Sequence, residues 1–112
     1  MKTFTTFTVG DSEYKLCLSI ESIVNLEPKI GCNPIMVFGT GDKIPTVGTM
    51  VEILHASMQK YHHGTTKKVA MDVFGNWLKE GHAVTDFCAI IVDIYKVSGL
   101  IVDSEEDEEA KN

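Results

Sequence analysis

Residues 3–18 read TFTTFTVGDSEYKLCL, and the alternation on either side of Gly10-Asp11 decides the fold class. Thr3–Val9 is built of β-branched and aromatic residues, which pack well on a pleated surface, and Glu13–Leu18 alternates polar with apolar. Gly10-Asp11 is a turn dipeptide between them, so the stretch predicts a β-hairpin. Parity restricts the loop. A two-residue loop sets Phe7 opposite Tyr14 and Thr5 opposite Leu16, and a four-residue loop sets Val9 opposite Tyr14 and Phe7 opposite Leu16. Either keeps Phe7, Val9, Tyr14, Leu16 and Leu18 on one face and leaves Glu13 and Lys15 on the other, whereas a three-residue loop flips one strand. An even loop is expected. A lone hairpin is not stable in water, so helices must cover its apolar face.

The rest of the chain supplies them. Ser19 is a natural N-cap for a helix from Ile20 to about Glu27, with Ile20, Ile23, Val24 and Leu26 as its apolar stripe. Pro28 is expected to break or kink that helix, and Gly31 to terminate it. Pro34 opens a short turn through Phe38, and Gly39–Lys43 reads as a mobile loop. Three segments then start at a Thr and stop at a Gly. Thr46 caps a helix to about Tyr61 with the stripe Val47, Met50, Val51, Leu54, Met58 and Tyr61, stopped by Gly64. Thr66 caps a second with Val69, Val73, Phe74, Trp77 and Leu78 inward, stopped by Gly81; Thr85 caps a third with Phe87, Ile90, Ile91, Ile94 and Tyr95 inward, stopped by Gly99. The expected architecture is α+β and predominantly α. An N-terminal hairpin (1–18) packs on a bundle of about four helices (19–102) in one domain, followed by an acidic disordered tail (103–112). Leu100-Ile101-Val102 is an apolar run before that tail with two readings: docking on the body, or a contact surface for a neighbour.

Charge and composition exclude several classes. At 112 residues the chain has room for one core, and its 44% hydrophobic and 23% charged residues are ordinary for a globular protein. No run of about eighteen apolar residues exists for a membrane-spanning helix, and Met1–Phe4 leads into Thr-rich alternation without the apolar block of a secretory signal, so a cytosolic protein is expected. Ten Lys against sixteen acids give −6; six of the acids and one Lys lie in 103–112, so the first 102 residues are near neutral at −1. With no Arg and no basic face, nucleic-acid binding is disfavoured. Cys17, Cys32 and Cys88 are odd in number and widely spaced, and read as small buried hydrophobes.

The four histidines invite a metal reading. His55 and His62 are seven residues apart, His63 follows, and His82 succeeds Gly81, yet nothing matches a dense ligand spacing. The dipole of a helix C-terminus accounts for His62 and His63 without a metal. Cys88 near His82 sits beside Phe87 on an apolar helix, where an activated thiolate has no electropositive support. Gly39–Lys43 lacks the spacing of a phosphate-binding loop. No catalytic constellation and no cofactor is expected.

Certain blocks resemble a known family. A hairpin followed by Ser19–Glu27, Gly31 and Asn33-Pro34, then Ile44-Pro45-Thr46, the block Ile53–Gly64 and Ile94–Leu100, is similar to the small tail assembly chaperones of long-tailed phages (siphophages) of Gram-positive bacteria. The resemblance covers roughly residues 8–101 and implies a non-enzymatic assembly factor of the host bacterial cytoplasm, absent from the mature virion. It implies binding to the helical tape measure protein while the tube polymerises, self-association as a ring or spiral, and a longer frameshifted form that recruits the major tail-tube protein. Leu100, Ile101 and Val102 are the first candidates for partner contact, with Tyr61, His62 and His63 second. The alternatives are a small metal-binding or regulatory protein using His55, His62 and His63, and a structural head–tail joining protein.

Overall fold

The hairpin takes the two-residue loop. In the computed structural model, which describes residues 2–39 and 43–102, β1 (Thr5–Val9) pairs antiparallel with β2 (Ser12–Leu16), with Phe7 opposite Tyr14 and Thr5 opposite Leu16. Gly10 holds φ +60° at the first turn position, a conformation that matches the twist of the flanking strands and that a side chain would resist. Phe7, Val9 and Leu16 are buried, Tyr14 is half-buried, and Glu13 and Lys15 are exposed, as parity requires.

Among the described residues four helices follow: α1 (Ile20–Ile30), α2 (Val47–Met58), α3 (Lys67–Lys79) and α4 (Phe87–Ser98), with 3₁₀ turns at Pro34–Met36 and Val84–Asp86. The fold is α+β and mostly helical, a two-stranded hairpin on a four-helix body. Ser19, Thr46 and Thr66 cap their helices as expected, each hydroxyl accepting from the amide three residues on. Helix α2 lies at the centre, touching α1, α3, α4 and β2, with Met50, Ile53 and Leu54 wholly buried.

Side chains tie the hairpin to this body. Phe7 meets Trp77 and Phe87 with ring centroids 5.5 and 5.8 Å apart, and Phe74 adds a fourth ring 5.0 Å from Phe87. The Cys17 amide donates to the Ser57 carbonyl at 3.0 Å, and the Leu18 amide to Ser98 Oγ at 2.8 Å. The segment leaving β2 is thereby held by α2 and α4 together.

Several expectations are corrected. Pro28 does not end the first helix, which runs two residues further to the Gly31 cap. The bond Pro28 cannot donate would have reached the carbonyl of Val24, a residue 59% exposed, where water can serve instead. The inward face of α1 also differs. Leu26 (1% exposed) and Ser22 are buried and Ile23 and Ile30 half-buried, while Ile20 is 75% exposed. Helix α2 ends at Met58 rather than near Tyr61, because Gln59 Nε2 donates to the His55 and Thr65 carbonyls and its Oε1 accepts from the Gly64 amide, folding the chain back. Val47 and Tyr61, at the two ends of the expected stripe, are exposed. In α3, Val69 faces outward and Ala70, wholly buried, inward. Thr85 caps nothing: it lies inside the 3₁₀ turn, where Asp86 Oδ2 accepts from the Ala83 amide at 2.7 Å. Cys17 is buried, but Cys32 and Cys88 are only half-buried.

Tyr95 joins the ends of the body. It is buried, and its hydroxyl donates to the Pro34 carbonyl at 2.7 Å, fastening α4 to the turn after α1. Burial pushes its ionisation well above the usual phenol range, with nearby Cys32 a lesser cause. Its phenol ionises more readily in the unfolded chain, so this contribution is complete below about pH 10 and is lost as pH rises beyond it. Tyr95→Phe is expected to cost about 1–3 kcal/mol near neutrality by leaving the Pro34 carbonyl unpaired, and to flatten the alkaline fall in stability. Urea unfolding of both proteins from pH 7 to 11 measures both effects; an equally steep alkaline fall in the variant would contradict the assignment.

The expected Gly39–Lys43 loop and acidic tail fall largely on Thr40–Asp42 and 103–112, outside the described residues. Among those described, no helix is long and apolar enough to cross a membrane.

A candidate partner-binding groove between α1 and α2

The buried faces of α1 and α2 meet below an open groove of about 490 Å³. Ser22 and Leu26 of α1 and Ala56 of α2 form its inner wall; Glu21, Asn25 and Lys29 rim one side, and Lys60 and His63 the other. Spacing explains the α1 side: Ser22, Asn25, Leu26 and Lys29 fall at steps of three and four on one strip of the helix. Ile20 and Val24 stand one residue before the rim residues Glu21 and Asn25, about 100° round the helix from them, so this exposed apolar pair lies on the outer face of α1, away from the groove.

Glu52 closes the groove at depth. Its side chain is 11% exposed, and Oε1 is buried without a hydrogen bond, 3.6 Å from Lys67 Nζ. Lys67 is half-exposed and gives this carboxylate an ionic neighbour but not a hydrogen bond. His55 Nε2 lies 2.8 Å from the Thr65 carbonyl, which places the ring proton on that nitrogen. The lining is therefore mostly polar, with Leu26 and Ala56 as its apolar floor.

The chain matches the model of a family of unknown function, DUF6096, over residues 1–111. It belongs to that family. No curated protein and no solved structure matches it.

The residues singled out from sequence are divided between different parts of this DUF6096 fold. His63 rims the groove, while Tyr61 and His62 line a separate recess of about 470 Å³ with Phe4, Thr6, Glu13 and Lys15. There they fasten the hairpin to the end of α2. The Tyr61 hydroxyl donates to the Thr3 carbonyl at 3.3 Å and its ring meets Phe4 edge-on, and His62 Nε2 accepts the Lys15 amide at 2.9 Å. The Lys15 ammonium covers the Phe4 ring at 4.8 Å. Leu100 and Ile101 pack partly on the core, whereas Val102 is 73% exposed. Among the described residues, no three His, Cys, Asp or Glu side chains gather as a metal site. Sequence reasoning missed Glu52, although it is the only acid in the apolar run Val47–Met58. It also assigned Ile20 and Val24 to the core.

Proposed function

We propose that this chain is a tail assembly chaperone of a siphophage or prophage of a Gram-positive bacterium, acting without catalysis in the host cytoplasm and absent from the finished virion. Its partner in this reading is the tape measure protein, a long helical chain whose apolar stripes aggregate when uncovered. The observation that carries the reading is the exposed Ile20–Val24 pair on the outer face of α1. An amphipathic helix laid along the outer face of α1 would bury part of its apolar stripe on this pair. Each contact is small, so coverage of a long partner requires many copies, arranged in a ring or spiral. A longer frameshifted form would recruit the major tail-tube protein.

Co-expression with the tape measure protein of the same phage or prophage tests this. The expected result is a partner that is insoluble alone, but soluble and co-purifying with this chain. A partner that stays insoluble with both the 112-residue chain and any extended form would refute the proposal. Detection of the chain as a stoichiometric component of purified virions would favour a head–tail joining role instead.

A further inference from the structure

The two edges of the hairpin are treated differently. A two-residue loop makes Val9–Ser12, Phe7–Tyr14 and Thr5–Leu16 the hydrogen-bonded pairs, so the main-chain groups of Thr6, Thr8, Glu13 and Lys15 point away from the ladder. On the β2 side this edge is closed: the Lys15 amide is held by His62 and the Cys17 amide by Ser57. On the β1 side, Glu80 Oε2 takes the Gly10 amide at 2.6 Å. Among the described residues, no hydrogen bond reaches the outward amides and carbonyls of Thr6 and Thr8, and both residues are exposed. Strand β1, TTFTV, carries no Pro, no charge and no bulge, the usual defences of an open edge.

We infer that this edge pairs with the same edge of a second copy, antiparallel about a two-fold axis at Phe7. The chemistry of the edge, alternating donors and acceptors at strand spacing, calls for an extended backbone. The sequence Thr6-Phe7-Thr8 reads the same in both directions, so Thr6 faces Thr8 of the second copy and Thr8 faces its Thr6, exchanging four hydrogen bonds. Charge favours this register, by a small margin at the separation involved. Thr6 lies opposite Lys15 and Thr8 opposite Glu13, so each row across the four-stranded sheet runs from a Lys15 to a Glu13 of the other copy, about 14 Å apart. Pairing Thr6 with Thr6, or Thr8 with Thr8, would align two Lys15 or two Glu13 residues instead. Glu80 limits the pairing to this short stretch by occupying Gly10. The pair is therefore weak, and being isologous it closes at two copies. A ring or spiral would need a second and different surface.

Sedimentation equilibrium of the full chain, in a series reaching on the order of 1 mM, is expected to show the mass rising toward that of two chains. Thr8→Pro removes only an outward amide, leaves the β1–β2 ladder bonded, and is expected to remain folded and monomeric throughout. Cysteine pairing tests the register independently, in a Cys32→Ser, Cys88→Ser background. A hydrogen-bonded pair sets its Cα atoms about 5.5 Å apart, within disulfide range. A mixture of Thr6→Cys and Thr8→Cys chains is expected to cross-link on oxidation, and neither chain alone. A wild-type mass that stays at one chain, a folded Thr8→Pro variant that still associates, or Thr6→Cys cross-linking to itself as readily as the mixture would overturn the inference. Should Thr8→Pro fail to fold, the cysteine pair decides it.

Discussion

Trp77→Ala is expected to cost about 3–5 kcal/mol of folding stability, the range for removing a large aromatic side chain from a packed core. Trp77 is buried at the junction of three elements. Its ring lies 5.5 Å from Phe7 of β1, 5.9 Å from Phe74 of its own helix and 5.7 Å from Phe87 at the start of α4. Losing it opens a cavity that none of these neighbours can fill without moving its own element, so the hairpin loses much of its attachment. With a total stability on the order of 5–15 kcal/mol for a domain of this kind, the variant stands near the folding threshold. His82 provides the contrast. It stacks flat on Trp77 at 4.4 Å but is itself exposed, so His82→Ala should cost less than about 1 kcal/mol. Urea unfolding of both variants measures the difference; a Trp77→Ala cost no greater than that of His82→Ala would show that the aromatic cluster does not hold the hairpin.

The largest functional effect is expected from Ile20→Asp combined with Val24→Asp. Both side chains face solvent, so folding stability should change by no more than about 0.5 kcal/mol per site. The first substitution adds an acid to the N-terminal turn of α1, where the helix dipole favours it. Partner binding in the proposed chaperone reading should nevertheless be abolished, because two carboxylates would replace the apolar pair on the outer face of α1. The measurement is the yield of soluble tape measure protein on co-expression, with circular dichroism confirming that the variant is folded. An undiminished yield from the folded double variant would exclude this face of α1. Val102→Asp in the same assay tests the exposed end of the C-terminal apolar run, and a loss confined to that variant would move the docking surface there.

Local rules made much of this fold legible. Hairpin parity placed Phe7, Val9 and Leu16 inward because strand side chains alternate strictly, whatever lies beneath them. Ser19, Thr46 and Thr66 were readable as caps because each serves an amide three residues away in its own chain. The same reasoning failed at Thr85, where Asp86 supplies the neighbouring amide's acceptor from one residue further on and the chain begins with a 3₁₀ turn. At Pro28 a general penalty was read as a helix end, although the affected carbonyl belongs to an exposed residue and remains accessible to water.

The sequence by itself determined the element types, the inward face of both hairpin strands and three of the helix starts, since each depends on residues within a turn or a hairpin of one another. The choice between a two- and a four-residue loop came from the structure. Tertiary structure alone decided which side of α1 faces the core. The apolar residues of that helix span a broad arc, so Ile20 and Val24 at one margin compete with Ile23, Leu26 and Ile30 at the other. Only the approach of α2 settles the choice in favour of Leu26. The burial of Glu52, the groove beside it and the open edge of β1 arise in the same way, from neighbours distant in sequence that cover one surface and leave another bare.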